Sequence, residues 1–264
     1  MNEHAGHRQR LRETYLKKGV EGMADHQVLE LLLTYAQPRG DVNPLAHRLL
    51  DRFDSLEGVL TARPEELTQV QGVGEQIAVF LCLIGEVDRR TLLQRLSGGQ
   101  KRQPILSTPA ALGGYMLALS LQDRYETLRV LCLNRKFGLI HQAVVASGSL
   151  TEVLADPRPI LETAIAHKAC FLAVAHNHPS GDVTPSREDE AAAARIEAAA
   201  ETVGIGVVDQ LILGRGAVYS LRSGRVLVFS GTDLVMDQTL DAYRETLVTS
   251  SSLAEPAGQT DTRI

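Results

Sequence analysis

The sequence predicts a mixed α/β protein in two parts: an all-helical N-terminal domain over residues 1–97 and a C-terminal domain over 105–230, where a mixed sheet carries flanking helices. Three observations lead there. The first hundred residues read almost entirely as helices. The stretch Ser97-Gly98-Gly99-Gln100-Lys101-Arg102-Gln103-Pro104 combines Gly, Pro and charge between two periodic regions and marks a linker over 98–104. Beyond it, strands alternate with helices, the pattern of a layered α/β structure. At 264 residues with 44% hydrophobic content, the chain can bury one large core or two modest ones.

The N-terminal elements follow in order. Gly6 to Lys18 is a basic helix. Asp25 is expected to cap the next, His26 to Ala36, whose Leu29, Leu32 and Leu33 share a stripe. Pro38-Arg39-Gly40-Asp41 breaks the chain, and Asn43-Pro44 opens a third helix with Pro at its first position, where the missing N–H costs nothing. Short helices follow near Leu56–Leu60 and Pro64–Val70. Val70-Gln71-Gly72-Val73-Gly74-Glu75 then joins two helices through a two-glycine turn, which resembles the helix-hairpin-helix of many DNA-repair proteins. Glycines admit a second backbone, and the N–H groups opening the following helix suit a phosphate, so Gly72, Val73 and Gly74 are the expected contacts to duplex DNA. The ordinary alternative is a tight turn between helices, with the flanking Arg8, Arg10, Arg12, Lys17, Lys18, Arg89, Arg90 and Arg95 as a solvated face.

In the C-terminal part, Ser107-Thr108-Pro109 starts a helix, and Thr127–Leu133 and Gly138–Ser147 read as a strand pair joined at Asn134–Phe137. A helix after Asp156-Pro157-Arg158, the strand Phe171–Ala175, an Ala-rich helix, and strands over Gly206–Leu213 and Ala217–Leu221 complete the layer. Residues 231–264 are expected to hold a last helix, Asp233–Leu247, and a disordered tail of small polar residues.

Composition removes several function classes. No run approaches the eighteen apolar residues of a membrane span, and the polar N-terminus is unlike a secretory signal, so the expected location is the cytoplasm. Three cysteines, Cys82, Cys132 and Cys170, lie apart in apolar segments and read as reduced packing residues. A net charge of −5 argues against a chain coated for nucleic acid, though not against a local basic face. Aromatics at 4% leave no platform for stacking single strands.

The chemistry concentrates in Cys170–Glu190, CFLAVAHNHPSGDVTPSREDE. Alternate residues of a strand share a face, so His176 and His178 point one way and Asn177 the other. Pro179–Asp182 turns the chain, and Ser186 is placed as N-cap of the Ala-rich helix, which puts Asp189 in its first turn. His, His and Asp are ligands that suit Zn2+ and leave a fourth position open for water. Taken separately, Ser-x-x-Asp is a common capping pattern and His-x-His a common polar strand end. Together, with seven residues between His178 and Ser186, they point to a metal site of catalytic type. A His-Asn-His nuclease finger spreads its histidines over a longer segment and does not fit.

The pattern H-x-H, seven residues, S-x-x-D resembles the JAMM (MPN-type) metalloprotease site, and HNHPSGD-x-x-PS-x-x-D resembles the bacterial RadC-like branch of that superfamily, over about Gly6–Leu227. The resemblance implies an MPN/JAMM-like fold and a zinc-dependent hydrolase of amide or isopeptide bonds. His176, His178 and Asp189 would hold zinc, Ser186 would assist the oxyanion, and a glutamate from an earlier strand would be the general base.

At the expected glutamate the chain departs from the family. Ile140–Ser149 holds no carboxylate; Ala143, or else Gln142, occupies the position, on a strand expected beside the zinc strand. The family's His-Pro-Arg-Glu element is here Asp156-Pro157-Arg158-Pro159, and a second family histidine is Gln210. Losing a general base costs on the order of 10²- to 10⁴-fold in rate, and His141, Glu152, Asp182 and Glu188 are the substitutes the sequence offers. Two readings follow: a metallopeptidase-like hydrolase lacking its usual base, acting on a protein or peptide and associated with DNA, or a non-catalytic zinc-binding accessory protein of DNA repair. Neither involves a membrane.

Overall fold

The computed structural model describes residues 3–97, 103–121, 123, 125–148 and 156–252. Most of the expected linker, Ser149, the candidate Glu152 and the expected tail from residue 253 lie outside them. The chain divides into two compact units, Met1–Thr91 and Leu92–Ile264, the division falling within a helix.

The first unit is helical: α1 (Glu3–Lys18), α2 (Asp25–Ala36), α3 (Asn43–Phe53), α4 (Leu56–Leu60), α5 (Pro64–Leu67) and α6 (Glu75–Leu96). Asp25 is the first helical residue of α2 rather than its cap; the cap is Ala24, whose N–H donates to Gln27 Oε1 at 3.1 Å. Leu29, Leu33, Leu45, Leu49, Leu67 and Leu81 are buried in one apolar core. A charge is buried with them. Glu30, 1% exposed, accepts from Asn43 Nδ2 at 3.1 Å and pairs with His7 Nε2 at 2.8 Å. Arg8, in the next position of α1, donates to the carbonyls of Gln37, Pro38 and Gly40. That arginine is committed to the fold and leaves the candidate basic surface.

The second unit holds α7 (Pro109–Ser120), β1 (Thr127–Leu133), β2 (Leu139–Ser147), α8 (Arg158–Ala166), β3 (Phe171–Asn177), α9 (Arg187–Thr202), β4 (Gly206–Leu213), β5 (Ala217–Ser220), β6 (Arg225–Ser230), β7 (Asp233–Thr239) and α10 (Leu240–Ser252). Its sheet runs β2-β1-β3-β4-β5-β6-β7, with only β3 and β4 parallel, joined through α9. One face packs on α7 through Leu131, Leu133, Ala173, Leu211 and Leu213. The other packs on α8 and α9 through Leu128, Val130, Cys132, Leu172 and Val174 against Ile160, Ala164, Ile196 and Ala200. This two-sided cover explains why β3 reads as an unbroken apolar run rather than an alternating one.

Two expectations are corrected. Residues 233–239 form a strand, not the start of the last helix. Gly231, at φ 60°, turns the chain after β6, and the open edge of β6 takes up Asp233–Thr239 as its antiparallel partner. The available ladder overrides a local pattern that suits a helix equally well. The strand carrying Ala143 does not run beside the histidine strand: β1 lies between β2 and β3. The tight turn at Asn134–Phe137 fixes β2 on one edge of β1, and β3 takes the other.

The three cysteines are free, Cys132 buried and the other two half-buried, and burial raises the thiol pKa of Cys82 and Cys132. Among the described residues no helix is long and apolar enough to cross a membrane.

Candidate metal centre

β3 delivers two imidazoles and α9 one carboxylate to a single point. His176 Nε2 lies 3.0 Å from Asp189 Oδ1 and 3.1 Å from His178 Nε2, and His178 Nε2 lies 3.6 Å from Asp189 Oδ2. His176 and Asp189 are each 6% exposed and His178 is half-buried, so the cluster is largely withdrawn from solvent. Two of the three groups are aimed from behind. His178 Nδ1 is 2.7 Å from the carbonyl of Asp182; a carbonyl only accepts, so Nδ1 carries a hydrogen and Nε2 is the ring nitrogen turned toward the other two groups, a donor to Asp189 when protonated and a ligand atom when not. Ser186 caps α9 as expected: its Oγ accepts from Asp189 N at 3.1 Å, while its N–H and hydroxyl donate to Asp189 Oδ2 at 2.8 and 2.7 Å.

The electrostatics follow from that packing. Burial alone raises the Asp189 pKa, but donors on His176, His178 and Ser186 together hold it far below the usual carboxylate range. The His178 pKa is raised by its bond to Asp189, against burial, with further help from the Asp182 carbonyl and the charges of Asp189 and Glu126. A centre with two imidazole nitrogens 3.1 Å apart and a carboxylate beside them is electron-rich and calls for a cation. Ligands at zinc–nitrogen distances of about 2.0–2.1 Å on a tetrahedron stand about 3.3 Å apart. The observed separations bracket that value, so the donor set fits zinc.

Glu126 is the residue that sequence reasoning missed. The β1–β3 ladder ends with Leu128 opposite His176, and the same register continued by two residues would bring Glu126 toward His178. The alternation of β1, continued one residue past Thr127, would turn Glu126 to the face of Leu128 and Val130, the face of the candidate centre, and its charge helps to raise the His178 pKa. Its backbone is pinned on both sides by Asn177, which accepts from Thr127 N–H at 2.8 Å and donates to the carbonyl of Tyr125 at 3.0 Å. Gly148 N–H donates to the carbonyl of Glu126 itself at 2.8 Å. The sequence did offer one signal: a carboxylate immediately before an apolar strand.

The other candidates fall elsewhere. Ala143 shares the face of His176 but pairs with Val130, which pairs with Val174. It is thus two strands across and two residues along, roughly 10 Å by 7 Å away. Gln142 faces the opposite side and accepts from Tyr115 Oη at 3.2 Å. His141 pairs with Cys132, whose β3 partner is Leu172, far from His176, and its ring stacks on His167 with centroids 3.6 Å apart. Asp182 Oδ1 accepts from Thr184 N–H at 2.8 Å, which lowers its pKa, and Glu188 is exposed in the first turn of α9. Gln210 donates Nε2 to the carbonyl of Ala193 at 2.8 Å, tying β4 to α9 beneath Asp189.

In the helical unit, Gly72 turns with φ +98°, and Arg48 Nε donates to the carbonyl of Gln71 at 3.1 Å, bracing the turn from α3. Val73 is 7% exposed and serves as packing. Gly74 precedes α6 with no atom within 4 Å of where a side chain would stand. The open part of the hairpin is therefore Gly74 and the start of α6.

Residues 106–226 match the family described as RadC-like JAB domain, and residues 3–79 match UPF0758 N-terminal. A UPF0758 protein of Rhodobacter capsulatus is 40% identical over 217 residues, 82% of this chain and 100% of that protein. Another, from Ruegeria pomeroyi, is 38% identical over 217 residues, covering 82% of this chain and 95% of the relative.

Proposed function

Because the chain belongs to the UPF0758 family and its second unit carries a RadC-like JAB domain, we propose that it is a zinc-dependent hydrolase of amide or isopeptide bonds, with Glu126 in place of the base expected at position 143. The carrying observation is the convergence of three candidate ligand atoms at 3.0–3.6 Å; the β1–β3 register, continued past its end, directs Glu126 toward the same point. His176, His178 and Asp189 would hold the metal, which supplies Lewis-acid polarisation of the scissile carbonyl and of water. Glu126 takes the proton of the attacking water and passes it to the leaving amine. Ser186 orients Asp189 at rest; the residue lies at the exposed start of α9, and turning its hydroxyl hydrogen from Asp189 to a developing oxyanion needs rotation about one bond.

Protein purified without chelator is expected to hold about one zinc per chain, and His178→Ala to lose it while keeping its fold, as read by elemental analysis and circular dichroism. Affinity should weaken as pH falls. The His178 pKa is raised above 6.5, so protons compete with the metal from above that pH downward. Equal zinc in parent and variant overturns the ligand assignment.

A second reading, a zinc-binding accessory protein that contacts duplex DNA without cleaving anything, is favoured by one observation: the open, exposed position of Gly74 at the start of α6. Full-length protein is expected to bind duplex DNA weakly, without sequence preference and with a steep salt dependence. Gly74→Asp tests the contact. Asp is a good cap, and the position is open, so the fold is kept or strengthened. The added carboxylate meets the phosphate, and affinity at low salt should fall about tenfold or more. Unchanged binding by the folded variant removes the hairpin from the interface.

A further inference from the structure

The match to the RadC-like domain ends at Val226, so β7 and α10 lie beyond it. These added elements nevertheless hold the loop that carries a metal ligand. Tyr243 of α10, 8% exposed, packs in one apolar cluster with Val183, Ile212, Ala217 and Val226, and Leu240 lies against the same cluster. Val183 is fully buried and sits between two residues that serve His178. Before it, the Asp182 carbonyl takes the His178 Nδ1 hydrogen at 2.7 Å. After it, Thr184 donates its N–H to Asp182 Oδ1 at 2.8 Å, and its Oγ1 lies 3.4 Å from Arg244 Nη2. The aim of the His178 ring depends on where the Asp182 carbonyl stands, and that depends on Val183 being seated under Tyr243.

We propose that Tyr243, on a helix beyond the family domain, is a positioning residue for His178, acting through Val183 and the Asp182 carbonyl. This rests on the metal reading above. A residue that fixes a ligating histidine from behind sets its tautomer and orientation, and losing such support typically costs 10- to 100-fold in metal affinity. Tyr243 does not touch the metal centre. Its contribution is to remove alternative positions of the loop before a metal arrives.

The test uses the full chain and two readouts. In metal-free protein, amide hydrogen exchange is followed at Gly181, whose N–H donates to the His178 carbonyl, and at Thr184, with amides of the β3 ladder as reference. Zinc affinity is measured by competition with a chelator. Tyr243→Ala is expected to speed exchange at Gly181 and Thr184 by about tenfold or more with β3 unchanged, and to weaken zinc by the same 10- to 100-fold. Tyr243→Phe keeps the ring and should match the parent in both; Tyr243→Leu replaces the alanine variant if that one fails to fold. Exchange at Gly181 and Thr184 that rises no more than in β3 means a general loss of packing and overturns the inference, as does full zinc affinity in a folded Tyr243→Ala or Tyr243→Leu. Absence of zinc from the parent overturns the metal reading instead, and the exchange rates alone then decide whether Tyr243 positions the loop.

Discussion

Glu126→Gln is expected to lower the rate of amide hydrolysis by about 10²- to 10⁴-fold, the usual contribution of a positioned proton acceptor, while zinc content stays at the parent level. Gln keeps the size and hydrogen-bonding reach of Glu but takes no proton at neutral pH. The backbone at 126 is fixed by Asn177 and Gly148 whatever side chain it carries, so the substitution changes chemistry and leaves the fold alone. A carboxylate at position 143 is the informative contrast. Introduced as Ala143→Glu into the parent it should change the rate little, because β1 separates its strand from β3. The measurement is single-turnover hydrolysis of an isopeptide-linked substrate at matched zinc occupancy. Retained activity in Glu126→Gln refutes the assignment; rescue of that variant by Ala143→Glu would show that a carboxylate on β2 reaches the metal centre and refutes the geometry on which the assignment rests.

Gly214→Ala is expected to cost about 1–3 kcal/mol in stability and to strip the metal centre as well. Gly214 follows β4 where the ligand loop crosses over it. An added Cβ would stand 2.3 Å from the carbonyl oxygen of Gly181 and 2.7 Å from Val183 Cγ1. Backbone cannot be swung aside as a long side chain can, so the loop must lift. Lifting it pulls on the His178 N–H bond to Leu213 and on the Asp182 carbonyl that aims the ring. For a unit of this size, each kcal/mol lowers the melting temperature by about 2–4 °C. Calorimetry and zinc analysis of the same sample check both halves. A variant with the parent's melting temperature and zinc would show that the loop yields freely there.

The cluster of His176, His178 and Asp189 was legible because its geometry is local. Alternation along a strand places His176 with His178, and capping chemistry places Asp189, within a segment of uniform character. Glu126 was not legible because its place depends on which residue of β1 lies opposite which residue of β3, and register across a sheet is set by packing on both faces. Position 143 misled for the same reason: a plausible strand was identified, but its neighbour in the sheet was not. Residues 233–239 suit a helix or a strand, and only the free edge of β6 decides. Glu30 was hidden by its own stripe. It falls beside Leu29 and Leu33 on α2, and nothing in that periodicity announces that His7 and Asn43 will come to meet it.

Asn177 lies between the two histidines in sequence and faces away from them, binding the chain 50 residues earlier at Thr127 and Tyr125. It works as a gauge of alignment between two strands. Were β1 to slip by one residue against β3, every side chain of β1 would change faces. Glu126 would then point toward α7, and the buried Asn177 amide would lose both partners, at about 1–3 kcal/mol for each polar group left bare. The misaligned sheet would thus lose the proposed placement of Glu126 and also be less stable, so the same amide discriminates against the wrong assembly of the two strands.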